Sequence, residues 1–228
     1  MTAVSATPSL PRRLAAEFLG SALLLAIVVG SGIMAERLAG GNVALALLAN
    51  TAATGAGLVA LIFAFGSISS SFNPVVTLVD VLSGSRTKRV FLLYATVQCI
   101  GALVGVLLAH VMFELPAFAA SHHARTGIAQ WVAEAVATFG LILTIHGTSR
   151  RAATYVPFAV GAYITAAYWF TSSTSFANPA VTIARACTDT FAGIAPAHVA
   201  GFVAAQLVGA LTGWAVSRWL FAEPKGHL

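Results

Sequence analysis

The chain has 228 residues, 58% of them hydrophobic and only 8% charged, with a mean hydropathy of +0.88. An ordinary soluble domain carries about 25% charged residues, so this composition excludes a water-soluble fold. Two cysteines, Cys99 and Cys187, lie far apart in apolar surroundings and exclude a disulfide framework or a cysteine-built metal site.

Residues 1–11 are small, polar and Pro-containing and predict a frayed tail. Arg12-Arg13 before an apolar run resembles a secretion signal. The run Leu14–Met34, however, is about twenty residues long, enough to span a bilayer, and further spans follow it. These are Val43–Phe65, Val90–Met112, Ile128–His146, Tyr155–Thr171 and His198–Phe221, six in all. Arg12, Arg13, Arg86, Lys88, Arg89, Arg150, Arg151, Arg218 and Lys225 all fall on one side of these spans, and only Arg37, Arg125 and Arg185 on the other. Basic loops stay inside. Both termini are therefore expected in the cytoplasm, and the net charge of +5 reflects topology and calls for no nucleic acid.

The two halves of the chain repeat. Glu17 in Ala-Glu-Phe-Leu-Gly matches Glu134 in Ala-Glu-Ala-Val-Ala, Asn73 matches Asn178, and Gln98 in Gln-Cys-Ile-Gly-Ala-Leu-Val-Gly matches Gln206 in Gln-Leu-Val-Gly-Ala-Leu-Thr-Gly. Three spans per half force opposite orientations, an inverted repeat that puts a pathway at the bilayer midplane. The reading is one transmembrane domain over 1–228, with halves 12–112 and 128–221 joined by an extracellular linker at 113–127. Small residues at Gly101/Gly105 and Gly209/Gly213 predict close helix packing.

Each half carries one Asn-Pro box, Ser71-Phe72-Asn73-Pro74-Val75-Val76-Thr77 and Ser175-Phe176-Ala177-Asn178-Pro179-Ala180-Val181-Thr182. Asn caps a helix with its side-chain oxygen and Pro suits the first helical position. The apolar stretches Asn73–Leu82 and Asn178–Cys187 then predict helices of about 15 Å, half the hydrocarbon core. Entering from opposite faces, they meet near the midplane with both positive ends converging. Irregular backbone at that depth must line a watery path or be buried in protein; a pore is the economical reading. After capping, each Asn side chain keeps two N–H donors for a passing solute.

Two Asn-Pro-Ala-type boxes in an inverted six-span repeat resemble the aquaporin, or major intrinsic protein, family over about Leu14–Phe221. The resemblance implies an all-α membrane fold of six transmembrane helices plus two re-entrant half-helices. It also implies a homotetramer with a pore in each subunit for water or small uncharged solutes, and no cofactor. Its pore boxes are Asn73, Pro74, Val75 and Asn178, Pro179, Ala180. The first box reads Val75 where the family has Ala, and Ser71 stands where many members have His. Val181 stands where water-selective and glycerol-type members typically carry a constriction arginine. The other constriction positions carry over to Ser175, Thr54 and Tyr168, the last two with Ala53 and Ala166 as neighbouring choices.

This pattern, with Tyr168-Trp-Phe-Thr, resembles a bacterial subgroup associated with arsenic-resistance gene clusters. It implies arsenous acid or glycerol-like polyols as solutes in a bacterial inner membrane. A wide, mixed wall suits a neutral trihydroxy solute; Tyr168 filling the vacated space would instead leave a narrow water pore. Arg185 lies four residues after Val181, on the same helix face and about 6 Å nearer the outside. It is therefore expected as a pore-mouth charge in the outer vestibule that does not replace the missing constriction arginine, the alternative being a headgroup-facing arginine with no influence on flux.

The remaining polar residues have plainer readings. Glu17 and Glu134 are expected to tie down the free N–H groups of the re-entrant loops, although intramembrane acids also serve proton relays. Asp80 is expected to pair with Arg86, Lys88 or Arg89. His110 and His146 read as interfacial, and with no partner spacing no metal site is expected. With no nucleophile–base cluster, the function classes are a passive channel, a secondary transporter on an inverted repeat, or a closed structural protein; an enzyme is disfavoured.

Overall fold

The computed structural model describes residues 7–222; the first part of the expected N-terminal tail and Lys225 lie outside the described residues. Among the described residues eight α-helices follow one another: α1 Leu10–Leu38, α2 Val43–Phe65, α3 Pro74–Leu82, α4 Lys88–Met112, α5 Ile128–Ala152, α6 Val156–Phe170, α7 Pro179–Arg185 and α8 Val199–Leu220. The first helix starts within the stretch read as tail, because Pro11 fits an opening helical turn. Side-chain caps start others: Asn42 Oδ1 accepts from Leu45 N (3.1 Å) and Thr87 Oγ1 from Val90 N (3.3 Å). One apolar stretch, Ile128–Phe170, contains both α5 and α6. A 3₁₀ turn at Ala153–Tyr155 separates them, and Pro157, which has no N–H to give the preceding turn, opens α6.

The halves are built alike. In the first, α4 lies on α1; a Cβ on Gly101 would stand 2.4 Å from Phe18 O, and one on Gly105 2.1 Å from Ala22 O. In the second, α8 lies on α5, where a Cβ on Gly209 would stand 2.2 Å from Ala135 O. Close backbone approach explains the repeated small residues, since association within lipid depends on packing contact. The halves meet where α2 crosses α6 at Gly55 and Gly161, whose added Cβ would lie 2.8 Å from Gly55 O. A central core of Leu25, Val29, Val106 and Phe202 fills the bundle. Outside, Phe63 (64% exposed) and Trp219 (78%) belong to a broad apolar surface that suits hydrocarbon.

The linker 113–127 does not stand away from the bundle. Ala119 N donates to Cys187 O (3.1 Å), Ser121 N to Ala186 O (3.1 Å), and Ala195 N to His123 O (2.8 Å). It is a strap laid over the end of α7 and the loop after it. His110 belongs to this anchorage and is buried, which corrects the interfacial reading. Its Nδ1 lies 2.5 Å from Pro116 O, an acceptor only, so Nδ1 carries the proton and Nε2 accepts from Thr188 Oγ1 at 2.7 Å.

Candidate functional site

The two short helices α3 and α7 begin where two irregular loops reach the middle of the bundle. In each loop the residue before the capping Asn has a left-handed backbone, φ 48° at Phe72 and 47° at Ala177; Thr174 (62°) and Ser175 (51°) extend this strain in the second loop. Non-glycine residues hold such angles only where their surroundings over-determine them, and a buried carboxylate does so in each half. Glu17 Oε1 accepts from Ser71 N (2.9 Å) and Ser69 Oγ (2.5 Å), and its Oε2 from Phe72 N (2.7 Å) and Gln98 Nε2 (2.8 Å). Glu134 Oε1 accepts from Phe176 N (2.9 Å), and its Oε2 from Ala177 N (2.9 Å) and Gln206 Nε2 (2.6 Å). Two carboxylates thus occupy the place of water for backbone that has none.

The capping asparagines are bonded across the two-fold relation between the halves. Asn73 Oδ1 accepts from Val75 N (3.1 Å), and Asn178 Oδ1 from Ala180 N (3.0 Å) and Val181 N (3.3 Å). Asn73 Nδ2 donates to Ala177 O and Asn178 Nδ2 to Phe72 O, both at 2.8 Å. This corrects the count of two free donors per side chain: one N–H of each amide is held by the opposite loop, and one remains for a solute.

A cavity of about 310 Å³ runs past these caps. Thr54, Tyr168, Ser175, Val181 and Arg185 line it together with both asparagines, whereas Ala53 and Ala166 do not. Tyr168 OH donates to Thr54 Oγ1 at 3.3 Å. Ser175 is 3% exposed and its Oγ, buried beside the cavity, has no hydrogen-bond partner. Leu24, Val28, Leu58 and Val160 supply an apolar flank. Asp80 and Arg86 also line it; their ion pair is 2.7 Å long, and Arg86 Nη1 donates to Tyr94 OH at 2.9 Å.

Not every box residue faces this space. Val75 is 1% exposed and packs with Val79, Ile142 and Ala210, while Val76 lines the cavity. A helix turns about 100° per residue, so of two adjacent valines only one points inward, and it is the second. Pro74, Pro179 and Ala180 are buried behind the wall as well. Arg185 also differs from expectation. It is no open vestibule charge but 2% exposed, its Nε donating to Ala192 O and its Cζ 3.4 Å from the centre of the Phe176 ring. The loop after α7 folds back over it under the linker strap, which the helical spacing of 181 and 185 did not reveal.

Sequence reasoning missed Arg125. From the linker, its Nε donates to Gly193 O (2.8 Å) and its Nη1 to Ser173 O (3.2 Å), and its Cζ lies 5.1 Å from the Phe176 ring centre. Nothing at the sequence level tied it to the second box, since the contact depends on how the strap folds. Burial pulls this guanidinium below its ordinary pKa, while the carboxylate of Glu134 pulls it back up. Among the described residues no three His, Cys, Asp or Glu side chains are grouped to hold a metal ion. What the cavity offers a solute is amide and hydroxyl donors, loop carbonyl acceptors and an apolar flank.

Comparison with known proteins adds to this geometry. The family model described as MIP, major intrinsic protein, matches residues 4–176. The aquaglyceroporin AqpS of Rhizobium meliloti (strain 1021) is 54% identical over 217 residues, covering 95% of this chain and 93% of that protein. Aquaporin TIP1-1 of Zea mays is 29% identical over 157 residues, 64% of this chain and 62% of that protein. Among solved structures, the aquaglyceroporin from Plasmodium falciparum superposes with a TM-score of 0.69 at 16% identity, covering 93% of this chain and 96% of that one. At that identity the likeness speaks for the fold.

Proposed function

From the premise that the chain belongs to the major intrinsic protein family, whose members are passive membrane channels and not enzymes, we propose a pore for small uncharged solutes. The solutes are arsenous acid and glycerol-like polyols, with water passing as well. The observation that carries this reading is the wall at the far end of the cavity, where apolar Val181 faces the same space as Ser175, Tyr168 and Thr54. A polyol there places carbon or another apolar edge against valine and a hydroxyl against Ser175 Oγ, which has no partner of its own. At the caps, the one remaining N–H of Asn73 and of Asn178 donates to solute oxygen, and the converging helix N-termini disfavour cations.

The proposal includes a homotetramer in a bacterial inner membrane with both termini cytoplasmic, a reading supported by Arg86, Lys88, Arg89, Arg150 and Arg151 falling at one end of the spans. The name of the aquaglyceroporin AqpS supports water and glycerol-like polyols. A narrower, water-selective pore is the second reading, favoured by the Tyr168–Thr54 hydrogen bond that fixes the ring at the cavity wall.

Stopped-flow light scattering on proteoliposomes, with glycerol, urea, arsenous acid and purely osmotic gradients, separates the two. Solute equilibration well above empty liposomes supports the polyol pore. Fast water flux with no solute entry supports the narrow one, and saturable or gradient-coupled uptake would replace both with a transporter. Protease accessibility of tagged termini tests the orientation, and crosslinking in membranes tests the tetramer.

A further inference from the structure

We propose that Arg125, carried by the linker between the halves, is the specificity-determining charge at the outer end of the pore, where with Arg185 it bars cations while neutral solutes pass. The proposal rests on the channel reading above and names the residue that sets its ion exclusion.

The two guanidiniums share one ring. Phe176, a lining residue of the cavity, has the Arg185 Cζ 3.4 Å and the Arg125 Cζ 5.1 Å from its centre. They also share adjacent acceptors, Arg185 Nε donating to Ala192 O and Arg125 Nε to Gly193 O. Both guanidiniums thus stack on the residue whose backbone N–H is held by the buried carboxylate of Glu134. That carboxylate is already held by Phe176 N, Ala177 N and Gln206 Nε2. The next acid along, Asp189, is turned to the surface, where it pairs with His122 at 2.9 Å. Two positive charges therefore stand against one negative charge where protein screens them less than bulk water would.

Arg125 is held in this place from outside the pore. Its backbone N donates to His198 Nδ1 at 3.2 Å, and the residues before it are strapped to Ala186, Cys187 and Ala195. Its Nη1 reaches Ser173 O at 3.2 Å, two residues from Ser175, whose unpaired Oγ lies at the cavity. The charge thus comes from above the second loop, while the helix wall at Val181 stays apolar and open. A hydroxylated neutral solute passes this region without electrostatic penalty, and a cation does not.

The test uses the full-length protein in proteoliposomes, with potassium and proton leak and glycerol flux measured on the same samples. Arg125→Gln removes the charge and keeps amide hydrogen bonds; Arg125→Lys keeps the charge and loses the planar fork. Arg125→His makes the charge titratable below the free-imidazole value of about 6.5, because burial and the neighbouring Arg185 both oppose protonation. We expect cation leak to rise about tenfold in Arg125→Gln, to stay at the wild-type level in Arg125→Lys, and in Arg125→His to rise as pH is taken from about 4 to about 7 and the imidazole loses its proton. Glycerol flux persists throughout. If Gln and Lys variants behave alike, both tight or both leaky, or the His variant shows no pH dependence, the charge assignment is overturned. Should Arg125→Gln not fold, the His variant decides alone, since both of its charge states are read in one folded sample. A wild-type glycerol flux no greater than empty liposomes overturns the channel reading instead, while the cation leak still decides Arg125.

Discussion

Replacing Glu134 by Gln tests how much the second loop depends on one carboxylate. Both oxygens are occupied, Oε1 by Phe176 N and Oε2 by Ala177 N and Gln206 Nε2. A glutamine offers one oxygen and one NH₂ in the same space, so a donor must face a donor. If the NH₂ turns toward Gln206, that amide can flip and present Oε1, at the cost of its bond to Thr182 Oγ1. Even then the N–H of Ala177 loses its acceptor, and if the NH₂ turns the other way the N–H of Phe176 does. One buried backbone donor left unmade costs about 1–3 kcal/mol, and losing charge assistance on the remaining bonds adds about 1 kcal/mol. The expected loss is about 2–4 kcal/mol in equilibrium unfolding in mixed SDS micelles, accompanied by a drop in solute flux because Ala177 O is the acceptor for Asn73. Glu17 receives four donors, so Glu17→Gln is expected to be the more damaging of the pair. Loss of less than about 0.5 kcal/mol with normal flux in both variants would refute the accounting, since a net hydrogen bond alone is worth about that much.

Further outcomes follow from the same contacts. Val181→Arg places a fork of donors into the cavity wall; polyol flux should fall much more than water flux, and parallel losses would argue against a solute-wide pore. Asn73→Asp and Asn178→Asp bring a carboxylate to the helix N-termini, so solute flux should fall or potassium leak appear in liposome assays, and normal values in both would remove the asparagines from the pathway. Gly105→Ala puts a methyl 2.1 Å from Ala22 O; separating α4 from α1 is expected to cost about 1–3 kcal/mol, read as a lower thermal midpoint in detergent.

The sequence carried the fold a long way. Hydrophobic runs and their lengths placed the span Val43–Phe65 at the ends of α2, and the Asn-Pro signals put the start of α3 and α7 within one residue. These features are local, set by capping and by the thickness of hydrocarbon. The repeats of Glu, Asn and Gln also marked which residues meet, because the same structure is built twice. What escaped was whatever depends on rotation or on loop paths. Which of Val75 and Val76 faces the cavity is a matter of one residue's turn. The fate of each Asn amide depends on a carbonyl more than a hundred residues away. Arg185 is covered and Arg125 recruited because a linker of irregular backbone folds back over α7, and no periodicity describes such a path.

The crossed amide bonds have a consequence for how the protein is made. Asn73 reaches its acceptor 104 residues further along the chain. At synthesis rates of about 5–20 residues per second, that partner emerges roughly 5–20 s after Asn73 does. Throughout that interval the first half sits in the membrane with its midplane cap incomplete, holding by Glu17 and its own helices alone. The centre of the pathway therefore cannot set before the second loop is made. A ribosome stalled between the halves would leave Asn73 Nδ2 without the Ala177 carbonyl and Phe72 O without the Asn178 amide.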